Sequence, residues 1–255
     1  MAPGLVEIAP LGSDTSTPLS LRRRVDLIET LVSVTGADVL DCGCGEGSYV
    51  LELARRGAHA RGVEYQMEKV EAFRRAQPGD DRVVQGDVER LRFGDDSFDV
   101  VLMNETIEHF PDDRAALRSA RRVLRAGGML VVLAPNRWYP FESHGVYSKR
   151  SDRLLSPAIP GIPYLPVGAG RRMFRYWARN YWPRELRARI EGEGFDVVQT
   201  GFLWQTFEGI SGRQPRVVAT LAPVLRTLAA CAQRTPGLRR FGVTQWVLAR
   251  KPAHP

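Results

Sequence analysis

The chain has 255 residues, of which 44% are hydrophobic and 25% charged, with a formal net charge of +7. This length predicts one domain with insertions, residues 1–255, that buries roughly 70–75% of the surface of the unfolded chain. The charge permits a nucleic-acid or anionic-membrane partner. However, lysine occurs only at positions 69, 149 and 251, and such an arginine bias is typical of GC-rich coding sequence. No signal peptide or apolar run of the ~18 residues that cross a bilayer is visible, so a cytoplasmic protein is predicted.

The first ordered element predicted is a helix. Residues 1–17 are rich in Pro, Gly, Ser and Thr and are predicted to be mobile. Ser20 can cap a helix that reaches Val34, because apolar residues recur there at helical spacing. This helix, residues 18–35, either covers a ligand or only packs on a sheet.

A strand, a glycine-rich turn and a helix follow in the sequence DVLDCGCGEGSYV, residues 38–50. Glycines at alternate positions allow backbone angles that other residues avoid, and they let a ligand approach the main chain. The following helix points its free N–H groups to the same place. The stretch therefore predicts a binding site for a nucleotide-like ligand at the carboxyl end of a parallel strand. Cys42 and Cys44 in the turn lack the paired spacing of a zinc site and are predicted to be packing residues.

Polar residues end the next strands as well. A second strand, residues 58–63, ends in Glu64, about 20 residues after the glycines, where dinucleotide-binding folds place an acid for ribose hydroxyls. A third strand is followed by Asp87 and a fourth by Asn104. Because open α/β sheets bind ligands at the carboxyl ends of their strands, the pattern predicts one site along this edge.

Five motifs, VLDCGCGEGSYV, GVEYQ, GDVERLRF, FDVVLMNETIEHF and LRAGGMLVVLAPN, resemble in order and spacing those of class I S-adenosylmethionine-dependent methyltransferases. The resemblance covers roughly residues 37–135. It implies an α/β fold, a doubly wound seven-stranded mostly parallel sheet with an antiparallel last strand. It also implies S-adenosylmethionine as the cofactor and S-adenosylhomocysteine as the product. A lid insertion, residues 135–181, would follow the fifth strand, and a helical insertion, residues 204–242, would separate the sixth from the seventh.

The resemblance also implies roles for residues along the sheet edge. Glu64 would bind the ribose, Asp87 the adenine amino group and the Val88 N–H the ring, while Asn104 and Glu105 would hold the methionine part. The full cofactor set is Asp41, Gly43, Gly45, Gly47, Glu64, Tyr65, Asp87, Val88, Asn104 and Glu105. No metal-ligand cluster is visible, and no metal is predicted.

Methyl transfer to a hydroxyl requires an aligned acceptor and a base that removes its proton. His109, after Glu108 in ETIEHF, and His144, two residues after Glu142 in PNRWYPFESHG, are the two candidate bases. For His109, a structural role in the loop is the alternative. The predicted catalytic set is His144, His109 and Glu142.

The insertion after the fifth strand is rich in proline, aromatic residues and arginine, and a loop of this length is usually functional. Its predicted acceptor-binding residues are Arg137, Trp138, Tyr139 and Tyr147. The first interpretation of the chain is an O-methyltransferase of a small molecule, with a sugar, oligosaccharide or glycolipid as the acceptor. A C- or N-methyltransferase of a quinone-type ring or amine is the second. Nucleic acid is disfavoured because NETI replaces the usual Asn/Asp-Pro-Pro-aromatic motif, and a non-catalytic cofactor-binding protein is the last alternative.

The segment from Arg216 to Gln233 is predicted to be an amphipathic helix. Its apolar face is formed by Val217, Leu221, Val224, Leu225 and Leu228. Dimerisation, contact with a membrane surface and lid closure are all compatible with this pattern. The predicted partners are a small-molecule acceptor and a peripheral membrane contact. The chain is predicted to be a monomer or a homodimer.

Overall fold

The computed structural model describes residues 18–142, 146–153, 155, 159–175, 178–204 and 216–253. The predicted mobile terminus and His144 lie outside these residues. The helices are α1 (Pro18–Leu31), α2 (Ser48–Arg55), α3 (Met67–Ala76), α4 (Asp113–Val123), α5 (Val167–Met173), α6 (Pro183–Gly192) and α7 (Arg216–Arg234). The strands are β1 (Asp38–Cys42), β2 (His59–Glu64), β3 (Val83–Gln85), β4 (Phe98–Asn104), β5 (Leu124–Pro135), β6 (Tyr147–Ser148), β7 (Phe174–Arg175), β8 (Asp196–Leu203) and β9 (Thr244–Arg250).

Seven strands form one sheet in the order β3-β2-β1-β4-β5-β9-β8. Strands β1 to β5 pair in parallel, whereas β9 lies antiparallel between β5 and β8. The order places β1 and β4 side by side at the centre, so the loops that follow them meet at one edge. The predicted seven-stranded sheet with an antiparallel last strand is confirmed.

Helices cover both faces of this sheet. One buried cluster joins the sheet to α1, α2 and α3, and a second joins the opposite face to α4 and α6. The central strands are buried on both faces; β5, for example, is wholly apolar from residue 129 to 135. Such runs are typical of parallel strands that are covered on both sides.

Two expectations about the first helix are corrected. Helix α1 includes Ser20, which is therefore not its cap, and it ends at Leu31 rather than at Val34. Strand β5 begins at Leu124 and contains a bulge at Gly127, where pairing shifts between Phe98 and Val100 of β4. The bulge lets the chain turn from α4 while the pairing with β4 continues.

The insertion after β5 is more ordered than its sequence predicts. Strands β6 and β7 form a small antiparallel sheet, and a short helix, Ile162–Tyr164, precedes α5. Val146, Ile162 and Phe174 form a buried cluster of their own. The elements are too short to leave a periodic pattern, so the sequence predicts only a long loop. The assignment of residues 1–255 to one domain stays a prediction.

Candidate active site

The turn after β1 depends on glycine at three positions. Gly43, Gly45 and Gly47 have φ angles of +78°, +57° and +76°, a region that L-residues avoid at a cost of about 1–2 kcal/mol. The Gly43 N–H donates to the Val63 carbonyl at 2.7 Å, which ties the turn to β2. The sequence therefore folds here as a tight connection from β1 into α2.

The three glycines differ in what surrounds them. A Cβ on Gly43 would lie 2.6 Å from Thr106 Cγ2, and one on Gly47 would lie 2.6 Å from Phe73 Cδ2, whereas one on Gly45 would meet nothing within 4 Å. The first and third glycines thus allow close packing. The main chain at Gly45 faces open space, and this opening is where a ligand can approach it.

Glu64, at the end of β2, supports the same turn. Its Oε2 accepts from the Gly45 N–H and its Oε1 from the Gln66 N–H, both at 2.9 Å. The side chain is buried at 5% exposure. Each carboxylate oxygen has a second lone pair, so Glu64 can hold the turn and still accept from a ligand hydroxyl. The sequence predicted the position of this acid but not its hydrogen bonds to the turn.

Asp41 is a second buried carboxyl group under the turn, in the last part of β1. Burial raises the pKa of Asp41 from 3.8 to about 7, and the negative charge of Glu64 adds to the increase. Two acids that share a dry site are hard to ionise together. Near neutral pH the charge under the turn therefore depends on whether Asp41 holds its proton.

The carboxyl end of β4 carries Asn104 and Glu105, and Arg24 of α1 contacts both. Arg24 Nη1 donates to Asn104 Oδ1 at 3.0 Å, and Nη2 donates to Glu105 Oε1 at 3.1 Å. The Tyr49 hydroxyl, from α2, is hydrogen bonded to the same Asn104. Burial disfavours the charge of Arg24, yet Glu105 leaves the pKa of the guanidinium raised above its ordinary value.

Arg24 is a site residue that the sequence analysis missed. It is one of three consecutive arginines, 22 to 24, and its partners are about 80 residues away in the chain. One signal was available. Arg24 follows Leu21 by three residues and precedes Ile28 by four, which places it on the apolar stripe of the helix rather than on its outer face.

The remaining predicted cofactor residues extend the site along the edge toward β3. Asp87 is exposed, and its Oδ1 accepts from the Glu89 N–H at 2.9 Å, which caps the short helix Val88–Arg90. Val88 is buried, and Tyr65 is 50% exposed. The Gly86 N–H donates to the Glu64 carbonyl at 3.0 Å, so the loops after β2 and β3 lie together.

His109 and Glu108 lie on a short helix, Ile107–His109, just after β4. The Glu108 side chain is fully buried, the His109 side chain is 15% exposed, and His109 Nε2 lies 3.9 Å from Glu108 Oε1. This pair follows directly on the strand end that carries Asn104. The structure thus brings His109 next to the predicted cofactor residues, and its catalytic role stays a prediction.

A buried ionic cluster holds this short helix against the C-terminal part of the chain. Asp113 Oδ1 accepts from Arg189 at 2.8 Å, and Oδ2 accepts from Arg179 at 3.3 Å and from the Tyr181 hydroxyl at 2.9 Å. The same hydroxyl lies 3.2 Å from the Ile107 carbonyl oxygen. Arg179 is one of the arginines of the insertion after β5. It pairs within the protein, because Asp113 is buried and requires its charge.

The predicted acceptor-binding residues of the insertion have mainly internal contacts. Arg137 Nη2 donates to the Tyr164 and Leu165 carbonyls at 2.8 Å, and its guanidinium lies 5.3 Å from the centre of the Trp182 ring. Trp138 packs edge-on against the same ring at 5.4 Å and remains 39% exposed. These two residues therefore shape the insertion, and their contact with an acceptor stays a prediction.

Tyr139, Tyr147 and Glu142 complete the predicted set. Burial raises the pKa of Tyr139, whose ring packs against Phe141. Tyr147 lies in β6, and Glu142 is 3% exposed. His144 lies outside the described residues, and its role stays a prediction. Within the residues described, no group of three or more His, Cys, Asp or Glu side chains could hold a metal ion.

Comparison with known proteins gives one family match. Residues 40–132 match the model of a family described as a methyltransferase domain. A demethylmenaquinone methyltransferase of Clavibacter sepedonicus is 33% identical over 132 residues, which are 49% of this chain and 54% of that protein. A ubiquinone biosynthesis O-methyltransferase of Xylella fastidiosa is 36% identical over 118 residues, 45% of this chain and 48% of that protein. The chain thus spans about half the length of the curated relatives it matches.

A solved structure shares the fold over most of the chain. It is an S-adenosylmethionine-dependent methyltransferase from Mesorhizobium loti, with a TM-score of 0.56 and 16% identity, covering 91% of this chain and 96% of that one. At this identity the likeness shows the fold. The sheet order, the antiparallel strand and the helices on both faces are those of the class I methyltransferase fold.

Proposed function

We propose that this chain is an S-adenosylmethionine-dependent methyltransferase that transfers a methyl group from that cofactor to a small molecule, because residues 40–132 match a methyltransferase domain and the sheet has the class I methyltransferase fold. The observation that supports the proposal best is the open main chain at Gly45. The Gly45 N–H donates to the buried Glu64, and the turn follows the carboxyl end of β1. An accessible turn beside a carboxylate that can accept from ribose hydroxyls is what a nucleoside ligand requires.

The residues at this edge fit the cofactor. Glu64 would accept from the ribose hydroxyls, Asp87 and the Val88 N–H would bind the adenine, and Asn104 with Glu105 would hold the methionine part. Arg24 adds a cation at the same strand end and would pair with the cofactor carboxylate. When bound, the cofactor supplies the reactive methyl group, so the protein's tasks are to align the acceptor and, for a hydroxyl, to remove its proton.

His109 is the base that the described residues support best. Its side chain is partly exposed, whereas its neighbour Glu108 is fully buried. An acid beside an imidazole favours the protonated ring, so Glu108 would stabilise His109 after it has taken the acceptor's proton. His144 remains the second candidate, with Glu142 near it in sequence.

We propose a hydroxyl of a small molecule as the acceptor. The names of the two curated relatives, a ubiquinone biosynthesis O-methyltransferase and a demethylmenaquinone methyltransferase, favour the quinone-type ring that was the second interpretation. Carbon methylation of such a ring is the alternative. The names of these two relatives give no support to a sugar or glycolipid acceptor, which was the first interpretation.

The test is transfer of label from methyl-labelled S-adenosylmethionine to three acceptors: a prenylated catechol, a prenylated naphthoquinol and a hexose. We expect label in the organic phase, with the catechol labelled fastest. Label bound to a ring carbon of the naphthoquinol, located by mass spectrometry of the product, would indicate carbon methylation. Label on the hexose alone would restore the sugar. An enzymatic role would be contradicted if the chain binds the cofactor tightly but transfers label neither to these acceptors nor to any compound in a host extract.

Two substitutions separate cofactor binding from chemistry. Glu64→Ala is expected to weaken cofactor binding measured by calorimetry, and unchanged affinity would remove Glu64 from the ribose role. His109→Gln should lower turnover by about 10²–10⁴, the usual contribution of a general base, without changing cofactor affinity. Turnover at the wild-type level would exclude His109 as the base, and the same measurement on His144→Ala would then decide the role of the second histidine.

A further inference from the structure

Helix α7 exposes three side chains of its predicted apolar face. Leu221 is 47% exposed, Val224 59% and Leu228 60%. Their spacing of three and four residues places them on successive turns of one face. Side chains of this size rarely remain exposed together without a partner.

The C-terminal half of α7 is fixed to the sheet. Ala229 and Ala232 are buried, and the Gln233 side chain accepts from the Trp204 N–H at 2.9 Å and donates to the Phe202 carbonyl at 2.7 Å. The exposed leucines and valine lie on the turns before this anchor. The helix is therefore attached to the sheet at its C-terminal half, while the apolar side chains before that half face solvent.

Arginines follow the apolar face of α7. Arg234 lies at the end of α7, and Arg239 and Arg240 lie in the helix Leu238–Phe241 that follows it. No Asp or Glu occurs in the sequence between residues 209 and 255. The sequence around this face is therefore positively charged.

Aromatic side chains continue this surface. The short helix Leu238–Phe241 follows α7, and its Leu238 is 50% exposed. The Phe241 ring lies 5.9 Å from the Trp138 ring, which in turn contacts Trp182. Both tryptophans are more than a third exposed, and tryptophan is favoured where an apolar phase meets water.

We propose that α7 and the helix Leu238–Phe241 form a docking surface for a bilayer that contains anionic phospholipid. An exposed apolar helix face flanked by arginines is typical of a helix that lies in the interface plane. Arginines near an anionic surface strengthen that contact. A symmetric dimer through the same face would bring two sets of arginines together, which opposes a second copy as the occupant. Membrane docking by this surface would not require methyl transfer. The surface would hold the protein at the membrane, where a compound dissolved in the bilayer is accessible.

The test is sedimentation of the full chain with vesicles of phosphatidylcholine alone or of phosphatidylcholine with phosphatidylglycerol. We expect binding to the anionic vesicles only, weakened by high salt because the attraction is screened. Val224→Asp should reduce the partition coefficient tenfold or more, since it removes an exposed apolar group that the bilayer would bury and adds a negative charge that the anionic lipid repels. Arg239→Ala and Arg240→Ala should each reduce it about fivefold.

Val198→Asp is the matched control, because Val198 is a half-exposed valine near the start of β8, whereas α7 is attached to Phe202 near the end of that strand. It should bind vesicles like the wild type, and thermal unfolding of every variant checks that each is folded. Equal binding by Val224→Asp and wild type, or no binding to anionic vesicles, would overturn the proposal. Light scattering adds the competing outcome: a dimer that Val224→Asp converts to a monomer, without vesicle binding, would assign the face to a second copy.

Discussion

Helices α2 and α7 have the same kind of sequence but opposite environments. Each carries apolar residues on one face, and α2 buries Val50 and Leu53 between the sheet and α1. In α7 the corresponding side chains, Val224 and Leu228, are more than half exposed. An amphipathic pattern therefore identifies the apolar face of a helix, but not the surface that covers it.

The reason for the difference lies in the connections. Helix α2 leaves a three-glycine turn that is tied to β2, so its direction is set against the central sheet. Helix α7 is attached at its far end, through Gln233 and two buried alanines, to β8 at the margin of the sheet. Sheet margins offer less surface for a helix to cover, and more of the helix remains in solvent.

Gly47→Ala should have the largest effect on stability, because it disturbs the start of α2. The substitution places a Cβ at positive φ and 2.6 Å from the Phe73 ring, and strain with overpacking costs about 2–5 kcal/mol. Chemical denaturation measures this loss. The control is Gly45→Ala, whose Cβ meets open space: it should cost about 1–2 kcal/mol while weakening cofactor binding more. Equal stability of the two variants would contradict the geometry of the turn.

A matched pair of valines tests the comparison directly. Val50→Ala removes a fully buried side chain from α2 and should lower the free energy of unfolding by about 2 kcal/mol. Val224→Ala, in the exposed part of α7, should change it by less than about 0.5 kcal/mol. Similar losses in the two variants would mean that Val224 is covered in solution, either by another part of the chain or by a second copy.

The titration of Asp41, which lies under the turn before α2, should have a smaller effect on stability that depends on pH. Because its folded pKa, about 7, exceeds the unfolded value of 3.8, the folded state holds a proton that the unfolded state has released between these two pH values. Stability therefore falls as pH rises through this window and levels off above pH 7. From pH 6 to pH 8 the loss is about 1.4 kcal/mol.

Asp41→Asn removes this titration. Denaturation curves of the variant at pH 6 and pH 8 should lack the loss that the wild type shows, while the effects of other groups remain in both. The same pH dependence in variant and wild type would assign it to a group other than Asp41.

The strands and the polar residues that follow them were largely predictable from sequence because their signals are local. Glycines at 43, 45 and 47 mark a turn, and the acid at 64 follows its strand at the expected distance. The hydrogen bonds of Glu64 to the turn were not predicted, since they depend on how β2 lies beside β1. The insertion after β5 was predicted as a loop, because two-residue strands leave no period.

By itself, the sequence determined the fold class, the order of the strands along the chain and the edge where the predicted cofactor residues gather, since periodicity and turn chemistry depend on neighbouring residues. Only the tertiary structure decided that Arg24 reaches Asn104 and Glu105, that Arg179 pairs with Asp113, and that the apolar face of α7 is exposed. These features join residues far apart in the chain. Which distant residues meet depends on how all the elements pack, and no local pattern records it.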